Sequence, residues 1–100
     1  MRFVEQPVMD RDTLVRIAAS SPIAICADET AGSLAAIAGY GPTSVAGVSL
    51  KLIKLGGITG LMQGTATCGS AALAMNLAGK TVESSVSAAA NLHCAAAIGE

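Results

Sequence analysis

The hydrophobic and polar positions of the chain follow two periods, one typical of β-strands and one typical of α-helices. Short apolar runs at 2–8, 23–27 and 47–53 predict three strands, and a fourth strand is expected within 73–83. The second run, IAICA, is apolar on both faces. A strand buried on both faces favours a parallel sheet that is covered by helices.

Helices are predicted after each of these strands. Asp10 or Asp12 can cap the first helix, because a short polar side chain there accepts a hydrogen bond from a free backbone N–H group. The remaining helices are expected at 31–38, about 59–71 and about 84–98. The chain therefore repeats a strand–helix unit.

The predicted strands begin roughly every 24 residues. This interval is typical of the βα units of an α/β barrel or of an open parallel sheet. A complete barrel needs about 200–250 residues, so four units amount to about half of one. A small flavodoxin-like open sheet would place its strands similarly, and periodicity alone does not separate the two folds.

Composition narrows the class of protein. The chain is 52% hydrophobic and 13% charged, which argues against disorder. A net charge of -1 without a basic run predicts neither nucleic-acid nor membrane binding. No apolar stretch is long enough to cross a bilayer, and the first residues lack the apolar core of a signal peptide.

The three separated cysteines, Cys26, Cys68 and Cys94, predict buried free thiols and a cytoplasmic protein.

Ionisable residues recur once per repeat, near the carboxyl ends of the predicted strands. Glu5 precedes Asp28 by 23 residues, and Asp28 precedes Lys51 by 23 residues. Active sites of parallel α/β folds form at this rim of the sheet. The alternative for Asp28, or for the adjacent Glu29, is to cap the helix expected to start near Ala31.

The third strand makes Lys51 a candidate for chemistry. Within 47–53, Val48 and Leu50 share one face, and Ser49 and Lys51 share the other. If the first face meets the helices, Lys51 points into the barrel, where burial lowers the pKa of a lysine and lets it act as a general base. The alternative is that the lysine reaches solvent from an edge strand.

Other polar residues have weaker claims. Glu5 and Asp28 suit Mg²⁺, which prefers a few carboxylates plus water, although two ligands are an incomplete site. Glu5 could equally be a solvent-exposed charge at a strand end. Lys54 is expected on the opposite face or in the loop, as a group that supports the ligands or as a surface group, and Glu83 is expected at the rim after strand four. Glu29 and Glu83 are further possible site residues. We expect a packing or surface role for His93 in the last helix.

Four segments in order resemble the barrel domain of the mandelate racemase/muconate lactonizing enzyme family of the enolase superfamily. They are EQPV at 5–8, ADET at 27–30, SLKLIKLGGITG at 49–60 and ESSVSAAANLHCAAAI at 83–98. The resemblance implies a (β/α)7β barrel of which this chain covers strands four to seven. The capping domain, the first strands and the last strand would then lie outside this chain. The glycine-rich helix near 59–71 departs from the family pattern.

The resemblance also assigns roles to residues. Glu5 and Asp28 match two of three ligands of Mg²⁺, with Mn²⁺ as the alternative metal, and Lys51 matches an acid/base lysine. In the mandelate racemase branch the ligand falls at the position of Glu29, and a histidine stands near the position of Glu83. Lys51 together with Asp28 therefore favours the muconate-lactonizing branch, which includes cycloisomerases, dipeptide epimerases, racemases and some dehydratases.

The implied function is abstraction of the proton next to a carboxylate through an enediolate, as in an isomerase or lyase. The implied partners are a small carboxylate substrate and further copies of the chain, since a partial barrel exposes sheet edges. The 100 residues alone are expected to be inactive, because one ligand and one lysine are missing. The alternative is an inactive half-barrel with a structural role. A flavodoxin-type binding module is disfavoured, since no glycine-rich phosphate loop follows a strand.

Overall fold

Strands and helices alternate throughout the computed structural model, which describes residues 2–80 and 83–99. The elements are β1 (Phe3–Glu5), α1 (Arg11–Ser20), β2 (Ala24–Ala27), α2 (Leu34–Ala38), β3 (Gly47–Leu50), α3 (Ile58–Ser70), β4 (Ala74–Leu77) and α4 (Ser85–Ile98). The order agrees with the predicted strand–helix repeat. None of the helices in the described ranges is both long enough and apolar enough to span a membrane.

The four strands form one parallel sheet in the order β1-β2-β3-β4. Strands that follow one another along the chain are neighbours in the sheet, as in consecutive units of a barrel. A flavodoxin-like sheet instead reverses its strand order at a switch point, and this sheet does not. The predicted α/β fold with about four βα units of a partial barrel is confirmed, and the carboxyl ends of all four strands lie along one edge.

The two faces of β3 have different surroundings. Val48 and Leu50 are buried in the hydrophobic core, where Ile37 of α2 and Leu61 of α3 also lie. Ser49 points to the opposite face, as expected from the alternation of side chains along a strand. The helices therefore cover the face that the sequence predicted. The cysteines are buried free thiols, also as predicted.

Polar caps fix where the helices begin. Asp10 caps α1, since its Oδ2 accepts a hydrogen bond from the Thr13 N–H at 2.8 Å. Helix α2 begins at Leu34, three residues later than predicted, and Ser33 is its cap. The alternative in which Asp28 or Glu29 caps this helix is therefore wrong. A turn, closed by a hydrogen bond from the Ala31 N–H to the Asp28 oxygen, and a short loop separate both carboxylates from the helix and leave them at the end of β2.

Three strands are shorter than predicted: β2 lacks only residue 23, whereas β1 and β3 end several residues early. The first ends at Glu5 because the next residue, Gln6, has a φ of 40° and leaves the extended conformation. The third ends at Leu50, so Lys51 lies directly after β3 and not inside it. The prediction for Glu83 also changes, because β4 ends at Leu77 and Glu83 lies six residues further along, next to α4.

Helix α3 needs two of its three glycines for close packing. A Cβ at Gly60 would collide with the backbone oxygen of Leu55, and a Cβ at Gly64 would lie 2.8 Å from Leu55 Cδ1. Nothing lies within 4 Å of the corresponding position at Gly69. Glycine at positions 60 and 64, despite its low helix propensity, is therefore explained by the close packing of α3 against the turn that follows β3.

Candidate active site

The buried carboxylate of Asp28 is the centre of a polar cluster at the carboxyl ends of the strands. Only 3% of its side chain is exposed. Its Oδ2 accepts a hydrogen bond from Lys51 Nζ at 2.5 Å, and its Oδ1 accepts one from Lys54 Nζ at 2.6 Å. Two ammonium groups therefore surround one carboxylate. The alternative in which Lys51 reaches solvent from an edge strand is wrong, because β3 lies between β2 and β4.

Lys54, which the sequence analysis considers as a possible group beside the ligands or at the surface, contacts Asp28 directly. Its Nζ donates to the backbone oxygens of Asp28 at 2.7 Å and of Ser49 at 3.2 Å, in addition to the Asp28 carboxylate. Lys54 lies in the loop after β3, which is one of the two predicted positions. The other predicted position, on the face opposite to Lys51, is wrong. The chain forms a turn after β3, in which the Lys51 oxygen accepts hydrogen bonds from the N–H groups of Lys54 and Leu55. Residues three apart in such a turn point to the same side.

Glu5 joins this cluster through Ser49. The Ser49 hydroxyl donates to Glu5 Oε2 at 2.8 Å, and Asn76 Nδ2 lies 3.4 Å from Ser49 Oγ. Ser49 is fully buried, whereas Glu5 is exposed at the edge of the sheet. The sequence analysis did not select Ser49 or Asn76 as site residues. The available signal was that Ser49 shares a strand face with Lys51, while Asn76 depends on the pairing of Ser49 with Asn76 in the sheet.

The opposite charges shift the ionisation of Asp28 and Lys51. Burial raises the pKa of Asp28, but the hydrogen bonds from Lys51 and Lys54 outweigh burial and leave this pKa below its ordinary value. The hydrogen bond to Asp28 raises the pKa of Lys51 despite partial burial. The prediction that burial alone lowers the pKa of Lys51 is therefore wrong, because a carboxylate faces the ammonium group.

Gln6 links the end of β1 to the loop after β2. Its Oε1 accepts hydrogen bonds from the Asp28 N–H at 2.7 Å, from Thr30 Oγ1 at 3.0 Å and from the Thr30 N–H at 3.3 Å. Its Nε2 donates to the backbone oxygen of Val8 at 2.7 Å. The sequence analysis missed this residue, since no hydrophobic or charge pattern distinguishes one polar side chain at a strand end.

Three other ionisable residues make no hydrogen bond to the cluster within the described residues. Glu29 is exposed, and its negative charge contributes to the raised pKa of Lys51. Glu83 lies beside Gly79, where its Oε2 would be 2.8 Å from an added Cβ, and within the described ranges it makes no hydrogen bond to the cluster. His93 is exposed on α4, which agrees with a surface role.

The donor set fits part of a divalent-cation site. Within residues 2–80 and 83–99, no group of three or more His, Cys, Asp or Glu side chains could hold a metal ion. Glu5 and Asp28 are nevertheless the carboxylates that the polar cluster brings together, and Mg²⁺ is commonly bound by one or two carboxylates, with water and substrate oxygens completing the octahedron. Because lysines occupy both oxygens of Asp28, a cation would share or replace one of these contacts.

Comparison with known proteins identifies the family. The family model described as "Enolase C-terminal domain-like" matches residues 1–100. The chain therefore belongs to this family of the enolase superfamily, as the ordered motifs predicted. Among curated proteins, none matches the chain.

Solved structures of related enzymes have the same fold. A dipeptide epimerase from Enterococcus faecalis V583, complexed with Mg and the dipeptide L-Leu-L-Tyr, is 26% identical with a TM-score of 0.89, over 95% of this chain and 28% of its own. An N-succinyl Arg/Lys racemase from Bacillus cereus ATCC 14579 is 28% identical with a TM-score of 0.81, over 93% and 26%. The muconate lactonizing enzyme from Pseudomonas putida is 23% identical with a TM-score of 0.83, over 92% and 26%. The chain thus spans about a quarter of the length of these proteins.

Proposed function

We propose that this chain supplies part of an active site that removes the proton next to the carboxylate of a small substrate. One observation carries the proposal: residues from three successive βα units meet at one rim, where Lys51 Nζ lies 2.5 Å from Asp28 Oδ2 and Ser49 connects the cluster to Glu5. A carboxylate pair beside a lysine provides both a cation site and a proton carrier.

In this proposal Glu5 and Asp28 hold the cation, which is Mg²⁺ or, as the alternative, Mn²⁺. When bound, the cation supplies positive charge that stabilises the negative charge developing on the substrate. The E. faecalis epimerase, which is complexed with Mg and a dipeptide, supports this assignment. Ser49 orients Glu5 by its hydrogen bond, and Lys54 holds Asp28 from the opposite side.

Lys51 moves the proton in this proposal. Its hydrogen bond to Asp28 keeps the ammonium form, so this lysine is prepared to donate a proton to one face of the substrate carbon. To act as a base it must first lose its proton, which requires a weaker interaction with Asp28. A second acid/base group on the other face would come from a βα unit outside this chain.

We further propose that the parent enzyme is of the muconate-lactonizing type, in which this chain forms strands four to seven of the barrel. The lysine at position 51 and the carboxylate at position 28 support this branch. The reaction is then a cycloisomerisation, a racemisation or epimerisation, or a dehydration. The buried free thiols of Cys26, Cys68 and Cys94 support a reducing, cytoplasmic location.

The test is exchange of the substrate α-proton in D₂O. The four βα units would be placed in the E. faecalis dipeptide epimerase scaffold, with N-succinyl amino acids and dipeptides as substrates. We expect exchange from both enantiomers of the substrate. In the Lys51→Met variant, exchange should disappear for the enantiomer whose α-proton faces Lys51, whereas the scaffold's own base still exchanges the other enantiomer. Equal exchange with and without Lys51, or none in a folded chimera, would contradict the proposed role. The 100-residue chain alone should give no turnover.

A second candidate function is an inactive half-barrel that associates through its edges. Large apolar side chains on the edge strands are exposed, with exposed fractions of 37% for Phe3, 40% for Val4 and 37% for Met75, and edge strands readily pair with other chains. Light scattering should therefore give a mass above the 9.8 kDa of the monomer. Phe3→Lys should lower that mass, whereas the control Ile58→Lys, away from the edges, should not. A monomeric wild type would contradict association.

A further inference from the structure

Gln6 adopts a backbone conformation that residues other than glycine rarely adopt. Its φ is 40°, and it lies directly between Glu5 and Pro7. Such a conformation persists only where the surrounding contacts enforce it, and it often marks a functional site. The turn at Gln6 ends β1 immediately after Glu5. The backbone of Gln6 therefore makes Glu5 the last residue of the strand.

The side chain of Gln6 is held by four hydrogen bonds. The amide oxygen accepts three hydrogen bonds from Asp28 and Thr30, and the amide nitrogen donates one to Val8. The shortest of the accepted bonds, at 2.7 Å, comes from the N–H group of Asp28 itself. One residue thus connects the neighbour of Glu5 to the backbone of Asp28.

The loop that carries Asp28 is also held from the side of α2. The hydroxyl of the fully buried Tyr40 donates to Thr30 Oγ1 at 2.6 Å, and Thr30 Oγ1 in turn donates to Gln6. The guanidinium of Arg11 lies 5.0 Å from the centroid of the Tyr40 ring. Contacts from the segments that follow β1 and α2 therefore converge on Thr30, two residues after Asp28.

We propose that Gln6 is a positioning residue that fixes Asp28 relative to Glu5 and thereby sets the cation affinity of the pair. The cation part of this inference rests on the proposed function. Residues that hold metal ligands by hydrogen bonds typically change metal affinity by about 10–100-fold when they are replaced. Gln6 makes such bonds to the backbone of one carboxylate residue and is covalently joined to the other.

The test compares Gln6→Met and Gln6→Asn with the wild-type 100-residue chain. Methionine preserves the length of the side chain without its amide, whereas asparagine tolerates the left-handed backbone but is one methylene too short to reach Asp28. Calorimetric titration with Mg²⁺ should give a dissociation constant raised about tenfold or more in both variants. Amide hydrogen exchange of Asp28 and Thr30 should accelerate in both, because these N–H groups lose their acceptor.

The control is Val45→Ala, which removes buried apolar atoms before β3. This variant should lower the melting temperature without changing Mg²⁺ affinity or the relative protection of the Asp28 amide. Unchanged affinity or unchanged amide protection in the folded Gln6 variants would overturn the inference. A wild type that binds no Mg²⁺ would contradict the proposed cation site alone, and amide exchange would then decide the positioning role by itself.

Discussion

Lys51 and Lys54 bind the two different oxygens of the same carboxylate, that of Asp28, at 2.5 and 2.6 Å. The carboxylate is buried, and each lysine side chain is less than one fifth exposed. Removing a buried anion leaves its partners as uncompensated charges, whereas the pair itself need not be strongly stabilising. The main effect of the arrangement is therefore to fix the positions of the two lysines, and its net contribution to the stability of the fold is small.

Asp28→Asn should destabilise the chain. The substitution leaves two partly buried ammonium groups facing a neutral amide, so we expect a loss of about 3 kcal/mol in the free energy of unfolding. Urea denaturation measures this loss. The matched control is Asp12→Asn, which affects an exposed pair with Arg11 and should change stability by less than about 0.5 kcal/mol. Equal effects of the two substitutions would contradict a buried cluster.

Stability should depend on pH at both ends of the scale. The pKa of Asp28 is lowered on folding, so its contribution is present above the unfolded value of about 3.9 and is lost as the pH falls through the folded value. The pKa of Lys51 is raised, so its contribution is present below the unfolded value of about 10.4 and is lost as the pH rises through the folded value.

Urea denaturation between pH 2 and pH 12, compared for wild type and two variants, tests this dependence. Asp28→Asn should reduce the acidic loss of stability, and Lys51→Met should reduce the alkaline loss. A wild-type acidic loss that remains unchanged in Asp28→Asn would mean that other carboxylates cause it.

Glycines of α3 should respond in opposite ways to the same substitution. Gly69→Ala meets no atom within 4 Å and should raise the free energy of unfolding by about 0.5–1 kcal/mol through helix propensity. Gly60→Ala would make Cβ collide with the backbone oxygen of Leu55 and should be destabilising by about 1–3 kcal/mol. Denaturation of both variants measures the difference. Similar gains in both would show that α3 does not pack closely on the turn carrying the lysines.

The sequence predicts the strand–helix order and the rim that carries Glu5, Asp28 and Lys51, because the repeat length and the alternation of β3 are local properties. The end of β3 was not predictable, since the apolar alternation continues past Leu50 although the chain turns there. The position of Lys54 follows from that turn. For the same reason its contact with Asp28 required the three-dimensional structure.

Other parts of the cluster depend on contacts between distant segments. Asn76 comes near Ser49 only because β4 pairs with β3 in one register. Gln6 reaches the Asp28 loop from an unusual backbone conformation that no periodicity indicates. The sequence predicts Glu83 at the rim because it does not fix the end of β4 within 73–83, and the strand ends six residues before Glu83.

The central claim is that Glu5 and Asp28 together bind a divalent cation, and paramagnetic broadening by Mn²⁺ tests it most directly. In ¹⁵N–¹H spectra of the chain, we expect substoichiometric Mn²⁺ to broaden the amide signals of residues 5–6 and 28–29. The signals near Asp10 and Asp12 should remain sharp, and the double variant Glu5→Gln/Asp28→Asn should lose the effect. Broadening centred on Asp10 and Asp12, or broadening that persists in the double variant, would contradict the claim.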